Sequence, residues 1–221
     1  MPSFLGDEAT HYDQRIHRLV PGYDLLQQLT QAQCQAALSE DAEVLVVGVG
    51  TGSEILALAK AKPKMRFVVQ DISADMLSLA QKSFERAGIS DRVQCHCGSV
   101  AEIEGNFDAA LCLLVLHFVA DNGDKADLLS AVRQRLKPSA WLWLADLMKP
   151  QTPFELDAQF VVCQQLGLTD IGVKRTRHSF EHEFYPLDRI RLAELLDQTG
   201  FGTAQCYFKA LGFTGYAIRC Q

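Results

Sequence analysis

Short apolar runs and amphipathic stretches alternate along most of the chain. Five runs predict strands, at residues 44–47, 66–71 and 93–97, within 106–119, and at 140–146. Continuous apolar runs of this kind are typical of strands that are buried on both faces of a parallel sheet. The stretches between them predict helices at residues 54–61, 73–87 and 121–136, with a turn at 137–139 before the fifth strand. This alternation predicts an α/β fold with a doubly wound sheet.

Two segments depart from the alternation. Residues 12–39 predict an N-terminal helical segment, with a Pro-Gly turn signal just before Tyr23. After the fifth strand, residues 151–186 combine an amphipathic stretch with a polar and basic one. We expect this second segment to form a helical cover over the edge of the sheet where a ligand binds.

The last part of the chain predicts one more helix and a pair of strands. The helix covers residues 186–199, and the strands at 203–209 and 214–219 are expected to pair antiparallel. The complete prediction is a single domain, residues 1–221, with a seven-stranded, mostly parallel sheet and an antiparallel edge strand.

Charge and hydropathy limit the classes of partner. The chain has 221 residues and a formal net charge of −6, which argues against nucleic acid because phosphate binding needs a basic face. No apolar stretch reaches the about 18 residues that a membrane span needs, and the N-terminal residues lack the regions of a signal peptide. We expect a cytoplasmic protein without a membrane partner, and the sequence leaves a homodimer open.

The cysteines and histidines are scattered. Seven cysteines contain no C-x-x-C pair, which predicts that most are buried free thiols. His178 and His182 lie four residues apart, a spacing at which two histidines on one helix could hold a metal. The H-E-x-x-H pattern is missing, so we interpret them as polar residues of the cover and predict no metal site.

A glycine-rich loop follows the first strand. Gly48, Gly50 and Gly52 occupy alternate positions, and a helix-forming stretch begins directly after them. Glycines allow a sharp turn and the close approach of a ligand, and the start of a helix presents free N–H groups to a hydroxyl or a carboxylate. Dinucleotide enzymes use G-x-G-x-x-G, but Ser53 stands where that third glycine would be. The loop predicts a nucleotide-cofactor site.

A second motif follows the second strand. Asp71 lies at the end of that strand, 19 residues after Gly52, where a carboxylate can accept hydrogen bonds from both ribose hydroxyls. Ser73 is a plausible N-cap of the next helix, and Met76 can cover the face of an adenine. The string Asp-Ile-Ser-x-x-Met-Leu and the glycine triplet closely resemble motifs II and I of class I S-adenosylmethionine (SAM)-dependent methyltransferases.

This resemblance implies a cofactor, a product and a set of contacts. The cofactor would be SAM and the product S-adenosylhomocysteine (SAH). Ser99 stands where the family usually has an Asp that accepts the adenine amino group. The implied cofactor contacts are Tyr23, Gly48, Val49, Gly50, Gly52, Asp71, Ile72, Met76, Ser99, Val100 and Leu113.

Some parts of the sequence resemble a narrower group within this family. The Val-Pro-Gly-Tyr23 string, the cover at 151–186 and the Gly-Phe pair at 200–201 are similar to the carboxy-SAM synthase group and its methyltransferase relatives. Leu113 replaces an asparagine of that group, and Leu195 replaces an arginine that binds its extra carboxylate. Because a leucine cannot neutralise a buried carboxylate, we expect ordinary SAM and a small-molecule methyl acceptor.

A hydroxyl or ammonium acceptor needs a general base. His117 follows the fourth strand among apolar residues, and Asp146 ends the fifth strand; either could serve, as could a histidine of the cover. Three other functions stay open: a nicotinamide oxidoreductase, a SAM-binding module without catalysis, and a carboxy-SAM synthase.

Overall fold

The computed structural model describes residues 12–221, and its centre is one seven-stranded sheet. The strands lie in the order β3-β2-β1-β4-β5-β7-β6, and β1 to β5 are parallel to one another. This confirms the doubly wound, mostly parallel sheet. The strands are β1 (Glu43–Val47), β2 (Arg66–Asp71), β3 (Val93–Cys97), β4 (Phe107–Leu113), β5 (Leu136–Leu147), β6 (Gln205–Ala210) and β7 (Phe213–Arg219).

Eight α-helices surround the sheet in the described part of the chain. Short 3₁₀ turns follow α4, β3 and β4, and the last of them covers Leu116–Phe118. The helices are α1 (Tyr12–Leu19), α2 (Tyr23–Ala37), α3 (Ser53–Ala61), α4 (Ala74–Ala87), α5 (Asp124–Gln134), α6 (Glu155–Gln165), α7 (Asp170–His182) and α8 (Arg189–Gln198).

The strand β1 explains why helices are needed on both faces. Val44 and Val46 are buried in one apolar cluster and Leu45 and Val47 in another, as expected because successive side chains of a strand point to opposite faces. The first cluster also contains side chains of α2, α3 and α4, and the second contains side chains of α5 and α8. The connections leave β1 in both directions, so the winding reverses between β1 and β4.

The C-terminal strands pair as the sequence predicts. β7 lies between β5 and β6 and runs antiparallel to both. The last three helices differ in burial: α6 buries Phe160 and Cys163, whereas α7 has no buried residue. The two helices form the predicted cover. Within residues 12–221, no helix combines the length and the apolar character that crossing a bilayer requires.

One local prediction is wrong. The turn predicted at 137–139 is the start of β5, because α5 already ends at Gln134. The strand accommodates this stretch through two irregularities: Ser139 has a φ of 62°, and the pairing with β4 shifts between Phe107 and Ala109. Proline is accepted near the beginning of a strand at such irregular positions.

Candidate active site

The candidate site lies at the carboxyl ends of β1, β2, β4 and β5. In a doubly wound sheet, ligands bind where the winding reverses, just beyond the carboxyl ends of the strands. The glycine loop follows β1, Asp71 ends β2, and the 3₁₀ turn with His117 follows β4. These three elements therefore lie along one edge of the sheet.

Glycine is favoured at the three positions of the loop for different structural reasons. All three have φ between 55° and 79°, a region that suits glycine. A Cβ on Gly48 would lie 2.4 Å from Val115, and one on Gly52 would lie 2.5 Å from Phe84. A Cβ on Gly50 would meet nothing closer than 3.7 Å, the distance to the Met76 side chain. Gly48 and Gly52 are thus required by packing, whereas a Cβ at Gly50 would make only ordinary van der Waals contacts and the positive φ is the reason for glycine there.

Asp71 holds this loop in place. One of its carboxylate oxygens accepts a hydrogen bond from the Gly50 N–H at 3.0 Å, and the other accepts one from the Ser73 N–H at 2.9 Å. Burial raises the pKa of the Asp71 carboxyl. Each carboxylate oxygen has further lone pairs, so Asp71 can fix the loop and still accept hydrogen bonds from a ligand.

Two more acids lie around the loop. Asp13 of α1 accepts a hydrogen bond from the Thr51 hydroxyl at 2.6 Å. Burial raises the pKa of Glu54 to about 8, and the charges of Asp71 and Asp13 contribute to this rise. We call Asp13, Glu54 and Asp71 the acidic group. Asp71 is buried, Glu54 is half-buried and Asp13 is exposed. Carboxylates that lie close together favour a cationic ligand, because such a ligand relieves their mutual repulsion.

Tyr23 lies beside the acidic group. It is buried at the start of α2, and its ring packs edge-on against His17 with centroids 4.9 Å apart. Burial raises the pKa of the Tyr23 hydroxyl to about 12, with the charge of Glu54 adding to the effect. The hydroxyl therefore stays protonated and can donate a hydrogen bond to a ligand at the loop.

The other predicted cofactor contacts vary in exposure. Val49 and Val100 are buried in the core, so a ligand at the loop would meet their backbone rather than their side chains. Met76 is buried next to Gly50, whereas Ile72 is 61% exposed. The Ser99 hydroxyl accepts a hydrogen bond from the Ala101 N–H, which makes it a cap of the following 3₁₀ turn.

His117 and Asp146 form a hydrogen-bonded pair. His117 Nδ1 lies 2.5 Å from Asp146 Oδ1, and the two side chains are 8% and 2% exposed. They come together because β4 and β5 are neighbours with Leu113 paired to Ala145. Since an ionised carboxylate only accepts hydrogen bonds, Nδ1 is the donor in this pair, and Nε2 is the ring nitrogen left for another partner. An imidazole that a carboxylate holds in this way can act as a general base.

A buried lysine supports the turn that carries His117. Lys125 of α5 is 0% exposed, and its ammonium group donates a hydrogen bond to the Leu116 carbonyl at 2.6 Å. Burial lowers the pKa of Lys125, while the charge of Asp146 acts in the opposite direction. On the other side, the Tyr185 N–H donates to the His117 carbonyl at 2.7 Å. The turn is therefore fixed from both sides.

Leu113 and Leu114 end β4 at the same edge. Both are buried, and Leu114 has a φ of 61°. A leucine in this left-handed region is strained by about 1–3 kcal/mol, and such residues occur often at functional sites. The Leu114 N–H is held by the Ala145 carbonyl at 2.7 Å.

A cavity of about 660 Å³ opens between α1, α7 and the ends of β4 and β5. We call it the cover cavity. Its inner wall contains Leu114, His117 and Leu147, and its outer wall is the cover helix α7 with the turn before it. The volume lies within the usual range for small-molecule sites. Its wall is mostly apolar, and His117 is one of the few groups in it with a proton-accepting nitrogen.

A metal is not supported by the described residues. Residues 12–221 contain no group of three or more metal-ligating side chains close enough to hold an ion. The rings of His178 and His182 on α7 contact each other at a tilt, with centroids 4.4 Å apart. All seven cysteines are free, and Cys34, Cys112, Cys163 and Cys220 are buried.

Residues 44–139 match the family described as "Methyltransferase domain". This part of the chain is a methyltransferase domain. It extends from β1 to the start of β5, and so contains the glycine loop, Asp71 and His117. SAM is the cofactor that such a domain implies. The resemblance drawn from the glycine triplet and the Asp71 motif is confirmed.

The methyltransferase domain has relatives with different reactions. The chain is 33% identical to demethylmenaquinone methyltransferase of Lactiplantibacillus plantarum, over 56% of this chain and 52% of that protein. It is 24% identical to carboxy-S-adenosyl-L-methionine synthase 1 of Yersinia pseudotuberculosis, over 98% of this chain and 93% of that protein. The chain spans 24–52% of the length of four curated relatives that it matches.

Solved structures show the same fold around this domain. N,N-8-amino-8-demethyl-D-riboflavin dimethyltransferase of Streptomyces davawensis superposes with a TM-score of 0.64 at 19% identity, over 90% of this chain and 56% of that chain. At this identity the likeness shows the fold alone. It confirms the Rossmann-like methyltransferase sheet.

Three residues around the candidate site were not predicted: Arg15, Glu54 and Lys125. Glu54 directly follows Ser53 at the beginning of α3, so its closeness to the loop was a usable signal. Lys125 lies in a helix with other charged residues, and no sequence pattern marks it as the buried one. Arg15 faces the cover cavity from a helix whose angle to the sheet depends on tertiary packing.

Proposed function

We propose that the chain transfers the methyl group of SAM to a small-molecule acceptor held in the cover cavity, with His117 as the general base. One observation carries this proposal: the imidazole that pairs with Asp146 also lines a cavity of small-molecule size. The cavity lies at the same edge of the sheet as the glycine loop. This shared edge supports an acceptor site and a base close to the proposed donor site at the loop.

The residues around the loop fit SAM. Gly50 leaves space that a Cβ would fill, and the Gln27 side-chain oxygen is buried without a hydrogen-bond partner among residues 12–221. The acidic group suits a ligand that carries an ammonium and a sulfonium, and Asp71 can accept from ribose hydroxyls. We infer that the predicted contacts from Tyr23 to Leu113 surround this ligand.

The reaction needs little from the side chains beyond position and a base. SAM supplies an activated methyl group, so holding the acceptor in line can contribute about 7–11 kcal/mol to lowering the barrier. His117 takes the proton of an acceptor O–H or N–H at Nε2. Asp146 holds the ring through Nδ1 and stabilises the imidazolium that forms. Phe118 and Phe184 pack around the ring, with centroids 4.0 and 5.1 Å from it, and exclude water from this side.

The test separates binding from turnover. We expect wild-type protein to bind SAM in calorimetry and to release SAH when given a pool of small-molecule acceptors. His117→Gln should bind SAM equally well and lose about 10²–10⁴-fold in SAH release. His178→Gln, on the exposed cover helix, is the matched control and should keep both properties. SAM binding without SAH release from any pool would support a SAM-binding module instead.

The second candidate is a carboxy-SAM synthase. The observation that favours it is the match to such an enzyme over nearly the whole of both chains. Against it, Leu195 is fully buried in the core beneath α8, where it replaces the arginine of that group. Incubation with SAM and prephenate, followed by mass spectrometry of the nucleosides, separates the two: we expect no carboxy-SAM.

Several broader expectations stay predictions alongside this proposal. They are the single-domain organisation of residues 1–221, the cytoplasmic location, the homodimer and the lack of a nucleic-acid partner. The small-molecule acceptor agrees with the names of the relatives, which are enzymes of small molecules.

A further inference from the structure

We propose that the acceptor carries a carboxylate, and that Arg15 binds it in the cover cavity. This inference rests on the proposed function, because it concerns the second substrate of the same site. It begins from an unusual atom: Arg15 Nε is buried, and within residues 12–221 it has no hydrogen-bond partner. A buried polar group without a partner destabilises the fold, and a charged one does so more strongly.

The position of Arg15 shows on which side the partner would lie. Arg15 lines the cover cavity together with His117 and the cover helix α7, whereas Gly50 and Asp71 do not line it. The unpaired N–H is therefore on a side chain that belongs to the acceptor side of the site. Because Nε is shielded from solvent, the half-buried Arg15 side chain has to turn towards the cavity for a ligand there to supply the missing hydrogen bond.

The cover cavity is basic in an otherwise acidic chain. Arg15 and Arg18 enter it from α1, and Arg175 enters it from α7. One carboxylate, Glu183, is also in the wall, and the chain as a whole has a net charge of −6. A cleft in which one sign of charge is concentrated raises the local concentration of ligands with the opposite sign.

The residues of the cavity wall favour a ligand that has a carboxylate on an otherwise apolar molecule. A guanidinium presents its N–H groups in a planar fork that matches a carboxylate with two parallel hydrogen bonds. Much of the remaining wall is apolar or aromatic, as at Ile16, Leu168 and Phe180, although hydroxyl side chains such as Ser179 also line it. The ligand would thus be a small apolar or aromatic acid with a separate O–H or N–H that reaches His117.

The methyl transfer balances for such an acceptor. His117 Nε2 takes the proton of the acceptor O–H, and that oxygen forms the new bond to the methyl carbon. The bond between this carbon and sulfur breaks, its electron pair stays on sulfur, and SAM becomes SAH. The carboxylate itself stays ionised on Arg15 and is not consumed. Arg15 is therefore a positioning and specificity residue.

The experiment compares acids with their neutral amides. The probes are 4-hydroxybenzoate and 3-(4-hydroxyphenyl)propanoate, each against its carboxamide, titrated by calorimetry into protein with and without saturating SAH. We expect each acid to bind at least about tenfold more tightly than its amide, since hydrogen bonds to charged groups are strong. In Arg15→Met this ratio should fall to about one, and in Arg15→Lys it should be intermediate because a point charge lacks the fork.

Arg86→Met is the matched control, because Arg86 is an exposed arginine of α4 whose bonds stay within its own helix. It should keep the full preference for the acid. Thermal melts of all variants check the fold, and the affinity for SAH should be the same in all of them. Equal binding of acid and amide by the wild type, or no binding of either acid, would overturn the inference.

One further outcome of these titrations would assign Arg15 to the donor site. If Arg15→Met weakens SAH binding and leaves the preference for acids unchanged, the guanidinium belongs to the donor site and the inference is wrong. Failure of the proposed function would look different again: the wild-type protein would then not bind SAM or SAH at all. The two failures are thus distinguishable in one set of titrations.

Discussion

The candidate site has two halves of opposite charge. We call the part around the glycine loop the donor half and the cover cavity the acceptor half. Around the glycine loop lie the three carboxyl groups of the acidic group, of which Asp71 accepts from the Gly50 N–H and Asp13 from the Thr51 hydroxyl. In the cover cavity, by contrast, the charged wall residues include Arg15 and two further arginines. Helix α1 contributes to both, since Asp13 bonds to the loop and Arg15 faces the cavity. A cationic donor and an anionic acceptor would therefore be sorted to their own places before they react.

The two halves also differ in how they are fixed. The loop is held by packing at Gly48 and Gly52 and by the hydrogen bonds of Asp71. The outer wall of the cavity is α7, which buries none of its residues. Segments with few buried contacts open most easily, so we expect a preformed donor site and a movable acceptor site.

The largest effect should come from breaking the donor half alone. Asp71→Asn keeps an acceptor oxygen for one loop hydrogen bond but removes the charge that would bind the ribose hydroxyls. Hydrogen bonds to a charged group contribute about 1.5–3 kcal/mol, so SAM affinity should fall by about 10–150-fold. Calorimetry measures this, with exposed Asp91→Asn as the control. Unchanged affinity would show that Asp71 only fixes the loop.

Lys125→Met tests whether the buried lysine stabilises the turn that carries His117. It leaves the Leu116 carbonyl without its buried donor, which should lower the free energy of unfolding by about 1–3 kcal/mol. Urea denaturation measures the change, and exposed Lys60→Met should leave the stability within about 0.5 kcal/mol of wild type. If both variants are equally stable, Lys125 does not hold the turn that carries His117.

The carboxyl groups of the donor half should affect how the stability of the protein changes with pH. The pKa of Glu54 is about 8, against an ordinary value of 4.5. The folded protein binds this proton more tightly than the unfolded chain, so stability falls as the pH rises between these two values. Glu54→Gln should therefore raise the Tm at pH 8 more than at pH 4.5.

SAM should reduce the loss of stability at high pH, because a cation near Glu54 favours the ionised carboxylate. The rise in Tm on adding SAM should grow between about pH 6 and pH 8 in the wild type and not in Glu54→Gln. Exposed Glu85→Gln is the control and should behave as wild type. A SAM effect with the same pH dependence in both proteins would place Glu54 outside the donor site.

The smallest effect concerns the cover. In hydrogen exchange, amides of α7 should exchange quickly in the free protein and more slowly with SAH and an acid present. Amides of β4 should be protected in both states and provide the internal reference. Strong protection of α7 in both states would show a static wall.

The sequence predicted the donor half better than the acceptor half, for a physical reason. A buried strand, a glycine triplet and an acid such as Asp71 are close along the chain, so local patterns contain them. His117 and Asp146 are 29 residues apart, and the topology predicted a shared edge but not their contact. Arg15 and Lys125 acquire their burial from packing between distant elements. The beginning of β5 was missed because Lys137-Pro138-Ser139 has the composition of a turn.

The most direct test of the account follows the methyl group itself. Protein is incubated with SAM labelled with ¹³C in the methyl group and with a metabolite extract separated into acidic and neutral fractions, and products are identified by mass spectrometry. We predict one labelled methyl for each SAH formed, in the acidic fraction only, and its loss in His117→Gln. Label in the neutral fraction alone, or SAM converted to carboxy-SAM, would contradict the account.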